Sequence, residues 1–357
     1  MTQKTCGWNK RSQCSCGGEP VQPERVRGNI KSIYIDGGTV RKQGAMTVVV
    51  TGGAGFIGSH VVDALVEQGE DVLVVDRTIK SRDYPLNCKA RYCEMNICSP
   101  GLREVMVKEK PERVFHLAAQ TSVGKSVNDP AHDGEVNILG SLNVIVSSTL
   151  SRVRKLVYAS SSAAYGHPDY LPVDELHPLN PLAPYGVSKH TVEHYLKVYR
   201  NLAGLSFTAL RFANVYGPRQ NPAGEGGVVA IFTAQMLSGI HPVIYGDGTK
   251  SRDYIFVKDV VAACIAAGNC EASDIFNIGT GVGTCDHAIY DAVSHACRYA
   301  GIHSHAADRP GDIRHMVLDC TKSERLLNWK PQTPLELGIA ETVAYYSQIA
   351  AKNEADY

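Results

Sequence analysis

The stretch Thr51-Gly52-Gly53-Ala54-Gly55-Phe56-Ile57-Gly58-Ser59-His60 decides how this chain folds. A β-branched run, Thr47-Val48-Val49-Val50, leads into it. An amphipathic segment, apolar at Ile57, Val61 and Leu65, leads out of it toward Glu70. Gly53, Gly55 and Gly58 fit a G-x-G-x-x-G spacing, and Gly52, Gly55 and Gly58 fit the wider G-x-x-G-x-x-G. Such spacing alone is a weak signal, since glycine-rich turns also occur without a ligand. Its setting between a strand and a helix gives it meaning: a turn without side chains brings backbone N–H groups and a helix N-terminus up to a pyrophosphate. A second apolar run, Asp71-Val72-Leu73-Val74-Val75, ends at Asp76. That is roughly 20 residues beyond the glycines, where an acid reaches the hydroxyls of a ribose.

Outward from this turn, strand and helix patterns alternate. A strand pattern covers Ala90 to Ile97, and a helix-period segment runs from about Pro100 to Lys110. The run Arg113 to Ala119 reads as a buried strand, Asp133 to Ser148 as a helix, and Lys155 to Ser161 as a strand. A helix from Tyr185 to Leu202 then leads to a strand from Ser206 to Phe212. Strands that are apolar throughout and separated by helices imply a parallel sheet covered on both faces. The expected fold is therefore α/β: a Rossmann-type, doubly wound parallel sheet over residues 46–214, with a return segment near 255–280. Beyond Asn214, Gly- and Pro-rich loops with isolated arginines predict a smaller C-terminal, substrate-binding domain over 215–357.

Bulk properties exclude several classes. Of the 357 residues, 36 are Lys or Arg and 36 are Asp or Glu, so the formal charge is zero and neither nucleic acid nor an anionic membrane is an expected partner. No apolar run is long enough to span a bilayer. Eleven cysteines, an odd number scattered through the strand and helix segments, fit a reduced, cytoplasmic protein better than a disulfide framework. Residues 1–45 differ from the rest, with eight Lys/Arg, three Asp/Glu and no apolar period, and read as a disordered leader or as the result of a start upstream of Met46. They hold no apolar core of a secretory signal. Cys6, Cys14 and Cys16 offer three ligands where zinc needs four, so no metal is expected.

The chemistry concentrates in Tyr185-Gly186-Val187-Ser188-Lys189. Residues four apart share a helix face, so the Lys189 ammonium can approach the Tyr185 phenol. A phenol with pKa ~10 is a poor base at neutral pH, and nearby positive charge brings it into working range. By itself this spacing is common in ordinary helices. Beside a glycine turn, an acid at Asp76 and a serine-rich strand end, Ser160-Ser161-Ser162-Ala163-Ala164-Tyr165-Gly166, it reads as a redox site. The strand end offers a hydroxyl, from Ser161 or its neighbour Ser162, where a substrate oxygen would lie. Asp76 would repel a 2′-phosphate and so favours NAD over NADP, although Arg77 beside it argues the other way.

From Met46 to about Gln348 the chain resembles the extended short-chain dehydrogenase/reductases, and among them the nucleotide-sugar 4-epimerases. The resemblance rests on the glycine turn, His116-Leu117-Ala118-Ala119-Gln120, the serine-rich strand end, Pro184 to Lys189, Arg211 to Gln220, Gly246 to Tyr254 and Arg309 to Arg314. It implies that Tyr185 is the catalytic base and acid, Lys189 its activator and ribose anchor, and Ser161 the partner of the substrate 4-OH. It places NAD against Gly52, Gly55, Phe56, Ile57, Gly58, Asp76, Arg77, Asn96, Ile97, Leu117, Ala118, Ala119, Gln120 and Phe212, with Tyr185 and Lys189. It places a UDP-sugar against Ser122, Ser161, Asn214, Tyr245, Arg252, Arg309, Asp312 and Met316. In this scheme Asn214, Arg252 and Arg309 meet the diphosphate and uridine, Tyr245 stacks on uracil, and Asp312 accepts the ribose hydroxyls. The resemblance also implies a homodimer paired through the Asp133–Ser148 and Tyr185–Leu202 helices. Asn96 stands where the family usually has Asp.

The implied reaction is removal of the 4-OH proton with transfer of the C4 hydride to NAD⁺, turnover of the 4-keto sugar in the pocket, and return of the hydride to its other face. Dehydratases and decarboxylases of the same fold carry an acid two residues before the tyrosine of the Tyr-Gly pair. Here that position is Ala163, preceded by Ser162. A non-enzymatic nucleotide-sugar sensor would keep the glycines while losing Ser161, Tyr185 or Lys189. The resemblance puts Met316 at the gate over the sugar's C2 substituent, intermediate between small residues that admit N-acetyl and aromatics that exclude it. UDP-glucose and UDP-galactose are the expected pair, with the N-acetylhexosamines as alternative.

Overall fold

The computed structural model describes residues 33–35, 46–79, 84–223, 227–308 and 312–355, with backbone alone for 33–35 and 352–355. In chain order, β1 (Ile33–Ile35) is followed by β2 (Thr47–Thr51), α1 (Phe56–Glu67), β3 (Asp71–Asp76), β4 (Arg91–Glu94), α2 (Gly101–Glu109) and β5 (Arg113–His116). Next come α3 (Val123–Asn128), α4 (Pro130–Gly134), a π-helical turn (Glu135–Gly140), α5 (Ser141–Leu150), β6 (Lys155–Ser161), α6 (Pro184–Ala203) and β7 (Phe207–Phe212). The remainder holds β8 (Asn214–Tyr216), α7 (Val228–Leu237), β9 (Val243–Tyr245), β10 (Ser251–Phe256), α8 (Val257–Asn269), β11 (Asp274–Ile278) and β12 (Gly283–Cys285). It closes with α9 (Asp286–Cys297), β13 (Ser304–Ala306), β14 (His315–Met316), α10 (Thr321–Leu327) and α11 (Leu335–Ala355).

The main sheet has the order β1-β4-β3-β2-β5-β6-β7-β11. From β4 to β11 every pairing is parallel, and β1 joins β4 antiparallel. Strand side chains alternate between faces, so Val48 and Val50 of β2 join one core layer and Val49 the other. The first layer is covered by α1 and α8, and the second by α2, α5 and α6. This is the expected doubly wound sheet. Its order reverses between β2 and β5, and the carboxyl ends of those two strands, Thr51 and His116, mark where such sheets take ligands.

Farther along the chain, α8 packs on the sheet and β11 extends it beside β7. In the smaller region β10 pairs with β8 and β14 in parallel and with β12 antiparallel, while β9 pairs with β13. Helices α7, α9 and α11 close over Tyr216, Tyr254 and Phe256. The strand read over Arg113–Ala119 leaves the ladder after His116, because Leu117 turns toward the glycine loop and donates its N–H to Thr51 O (3.0 Å). The helix expected from Asp133 begins at Pro130, with Asp129 capping it through His132 N (3.0 Å), and widens into a π turn before Ser141. Ile33–Ile35 was not anticipated as a strand; the rest of the expected leader, with Cys6, Cys14 and Cys16, lies outside the described residues. The described cysteines are all free.

Candidate active site

The glycine turn is held by backbone crowding rather than by side chains. Gly52 adopts φ +72°, and a Cβ there would stand 2.5 Å from Ala118 N in the loop after β5. A Cβ on Gly58 would stand 2.1 Å from Gly52 O, and Gly55 N donates to that same oxygen (3.0 Å). Gly52, Gly55 and Gly58 are therefore the operative triplet, and Gly53 packs toward Val74. Helix α1 starts with no side-chain cap and no acid in its first turn, so its N–H groups and the positive end of its dipole stay open to an anion. Asp76 closes β3 with Oδ2 accepting from Ala54 N (3.0 Å) and Oδ1 from Thr78 N (3.3 Å). An open helix N-terminus, a turn that any Cβ would fill and an acid at the next strand end fit a dinucleotide.

The other residues expected against that dinucleotide border the same edge. Phe56 and Ile57 stand half-buried in the first turn of α1, and Leu117 to Gln120 line the loop after β5. Asn96 is exposed with Oδ1 accepting from Cys98 N (2.9 Å), Ile97 is buried, and Arg77 is exposed. Phe212 is buried at the end of β7. His116 locks the switch point from below: Nδ1 lies 2.7 Å from Thr51 Oγ1, and Nε2 lies 2.8 Å from Ser141 Oγ. Burial holds this imidazole neutral, pulling its pKa down to about 3 with help from the Lys189 charge.

Tyr185, Lys189 and Ser161 meet at the adjoining strand end. Pro184 opens α6, and Ser126 Oγ accepts the Tyr185 N–H (3.1 Å) that the side chain of Ala183 cannot cap. Lys189, one turn on, donates to Ala159 O (2.8 Å), with Nζ 5.1 Å from the Tyr158 ring centroid and 5.9 Å from that of Tyr185. Ser161 Oγ accepts from Ala163 N (3.2 Å), and its hydroxyl also acts on the Tyr185 phenol. The protein groups around Tyr185 raise its phenol. Burial pushes it up to about 12, the Ser161 bond opposes this, and the Asp133 charge adds to it. The Lys189 ammonium lies over the Tyr185 ring and donates to the Ala159 carbonyl. Burial in turn pulls Lys189 down to about 8, and Asp133 opposes that.

Beneath the serine-rich end lies a buried ion pair. Glu193 receives two bonds from Arg211 (2.9 and 2.6 Å) and one from Ser160 Oγ (2.7 Å). Hydrogen bonds from Arg211, His190 and Ser160, with the Arg211 charge, outweigh burial and hold the Glu193 carboxyl at about 2.

The residues expected to hold the nucleotide gather around β10. Arg252 Nη2 lies 3.8 Å from Asp312 Oδ1, and Lys250 Nζ bridges Asp312 (2.7 Å) and Asp308 (3.0 Å). Asn214 starts β8, exposed, and Tyr245 ends β9 with 37% exposure. Met316 is buried with Tyr165, Val173 and Leu318, in register with Arg252. The Ser122 hydroxyl caps α3 by accepting from Lys125 N (2.9 Å). Arg309 lies outside the described residues. Sequence reading missed His116, Lys250, Asp133 and Asn137. A signal existed for part of this set: Asp133, Asn137 and Ser141 recur every fourth residue, and all three are buried.

The chain is similar to proteins of known activity. The model of the NAD dependent epimerase/dehydratase family matches residues 48–279. A UDP-glucose 4-epimerase of Mycolicibacterium smegmatis is 41% identical, over 84% of this chain and 98% of its own. The crystal structure of UDP-glucose 4-epimerase from Thermotoga maritima with UDP-glucose superposes with a TM-score of 0.83 at 42% identity, over 85% of this chain and 100% of that one. That of the Thermus thermophilus UDP-glucose 4-epimerase with NAD gives 0.80 at 39%, over 85% and 99%.

Proposed function

Because this chain belongs to the NAD dependent epimerase/dehydratase family, we propose that it inverts C4 of a UDP-hexose, interconverting UDP-glucose and UDP-galactose through a 4-keto sugar. The observation that carries this is the contact of Ser161 with Tyr185, one helical turn from Lys189, beside a glycine cradle and with no acid at Ser162 or Ala163. Dehydratases and decarboxylases of this fold carry that acid, and the dehydratases need it to drive elimination. NAD, when bound, supplies a hydride acceptor that gives the hydride back.

The side chains do the rest. Tyr185 takes the proton of the 4-OH and returns it, and Ser161 holds that oxygen by hydrogen bond. Lys189 lends positive charge to the phenolate and anchors the cofactor ribose. Asp76 accepts the adenosine ribose hydroxyls, which supports NAD over NADP. Phe56, Ile57, Arg77, Asn96, Ile97, the Leu117–Gln120 loop and Phe212 border the cofactor. Arg252, Arg309 and Asn214 hold the diphosphate, Asp312 the uridine ribose, and Tyr245 the uracil, with Ser122 and Met316 nearer the sugar. Residues 46–214 with the return segment form the cofactor part, and most of 215–357 the substrate part. The protein works in the cytoplasm as a homodimer built on α5 and α6. Among the described residues no helix is long and apolar enough to cross a membrane.

Incubating the purified protein separately with UDP-glucose, UDP-N-acetylglucosamine and UDP-glucuronate, and reading products by proton NMR, tests the reaction. Epimerisation of UDP-glucose is expected. Equal or better turnover of UDP-N-acetylglucosamine would move the assignment to the N-acetylhexosamine pair, and loss of water or carbon dioxide would overturn it.

A further inference from the structure

The buried carboxylate of Asp133 has no part in the scheme above. It is 1% exposed, and its Oδ1 accepts from Asn137 Nδ2 and Gln120 Nε2, each at 3.0 Å. Asn137 Nδ2 lies 3.1 Å from Ser188 Oγ, and Ser188 Oγ donates to the backbone carbonyl of Tyr185 (3.0 Å). A hydrogen-bonded path thus joins the carboxylate to the first turn of α6. Its other oxygen, Oδ2, has no hydrogen-bond partner among the described residues and no access to water. A half-satisfied buried anion is costly unless a positive charge balances it.

Lys189 carries the positive charge on which the Asp133 carboxylate acts. Lys189 is buried, its ammonium hydrogen-bonds a neutral carbonyl, and the one carboxylate acting on it is Asp133. The other titratable groups packed around the pair do not supply a balancing charge. Tyr158 from β6 and Tyr185 from α6 are phenols kept protonated by burial, and His116 from β5 is neutral. Glu193 on α6 is already paired with Arg211, and His132 and Glu135, beside Asp133 in the chain, are exposed.

We propose that Asp133 is a positioning residue for epimerisation that acts through Lys189, as its buried counter-ion, and that steadies the start of α6 through Asn137 and Ser188. This rests on Tyr185 and Lys189 being the reacting pair. The carboxylate favours the charged form of Lys189 and disfavours the phenolate, so removing its charge moves both titrations to lower pH. A purely structural role would instead lower kcat by one factor at every pH.

The test is kcat for UDP-glucose against pH, from about pH 6 to about pH 10, in wild type and Asp133→Asn, which keeps an acceptor oxygen for Asn137 and Gln120. The alkaline fall of kcat should move down by about one unit or more, with bound NAD content unchanged. In a Lys189→Met background, Asp133→Asn should slow the enzyme no further. Asn137→Ser keeps the charge and cuts the path, so it should lower kcat without moving the profile, which serves if Asp133→Asn fails to fold. An active wild type whose profile Asp133→Asn leaves in place overturns this proposal alone, as does a profile shifted by Asn137→Ser. A wild type inactive on every UDP-sugar overturns the functional reading with it.

Discussion

A phenol held at about 12 is protonated at neutral pH, so Tyr185 can act as a base only with positive charge beside it at the moment of transfer. Tyr185→Phe removes that proton acceptor and little else, because Ser126 still caps the backbone of residue 185. It should lower kcat by about 10²–10⁴-fold while leaving NAD content intact, measured by turnover and by cofactor released on denaturation. Near-normal turnover would mean that another group is the base. A second prediction concerns His116. Its pKa falls from an ordinary 6.5 to about 3 on folding, so between those values the unfolded chain binds the extra proton. The stability this residue contributes is therefore fully present above about pH 6.5 and is lost as pH falls toward 3, on the order of 3 kcal/mol by pH 4. Denaturant titrations should show a shallower acid loss in His116→Gln, by the linkage of about one proton; equal slopes would refute it. Tyr185, Lys189 and Ser161 were legible in the sequence because their chemistry is local, spaced within one helix turn or set at one strand end. His116 was not, because its partners Thr51 and Ser141 come from other elements.

Among the elements, the glycine turn read correctly and its details sharpen what it demands. Gly58→Ala would push a methyl against a backbone carbonyl that cannot swing away. It should cost about 1–3 kcal/mol and release NAD on purification, checked by thermal melts and absorbance. Gly134→Ala is the contrast: its φ −63° and ψ −42° suit alanine and a Cβ meets nothing within 4 Å, so it should be neutral or stabilising by about 0.5–1 kcal/mol. Equal damage from both would show that crowding is not what selects glycine. Strand limits were less legible, because β5 ends where Leu117 must turn toward the glycine loop, a tertiary demand without local pattern. The helix carrying Asp133 hides its role for a related reason. Its polar residues at every fourth position look like a solvated face, yet α6 packs there and buries them.

For the whole molecule, alternation of apolar runs and helix patterns was enough to give the doubly wound sheet, since each element there is long enough to show its period. The smaller region was not legible in detail: β12, β13 and β14 are two or three residues long and exist only by pairing with β10 and β9. Assembly is a further step that one chain's pattern shows only indirectly. On α6, Val187, Val198 and Leu202 are exposed, the last at 78%, and on the neighbouring stretch Leu139 and Leu150 are exposed too. Valine and leucine at these spacings recur along one side of each helix, and two such helices side by side make an apolar surface that water disfavours. The proposed homodimer would cover it with a second copy of the same surface, since a two-fold axis sets each patch against itself. The double variant Val198→Glu, Leu202→Glu places four like charges at that contact. Wild type should sediment as a dimer at micromolar concentration and the variant as a monomer. Because the same helix carries Tyr185 and Lys189 at its inner end, the monomer should also turn over more slowly while keeping its fold by circular dichroism. A monomeric wild type, or a variant that stays dimeric, would place the interface elsewhere and leave the apolar side of α6 without a part in assembly.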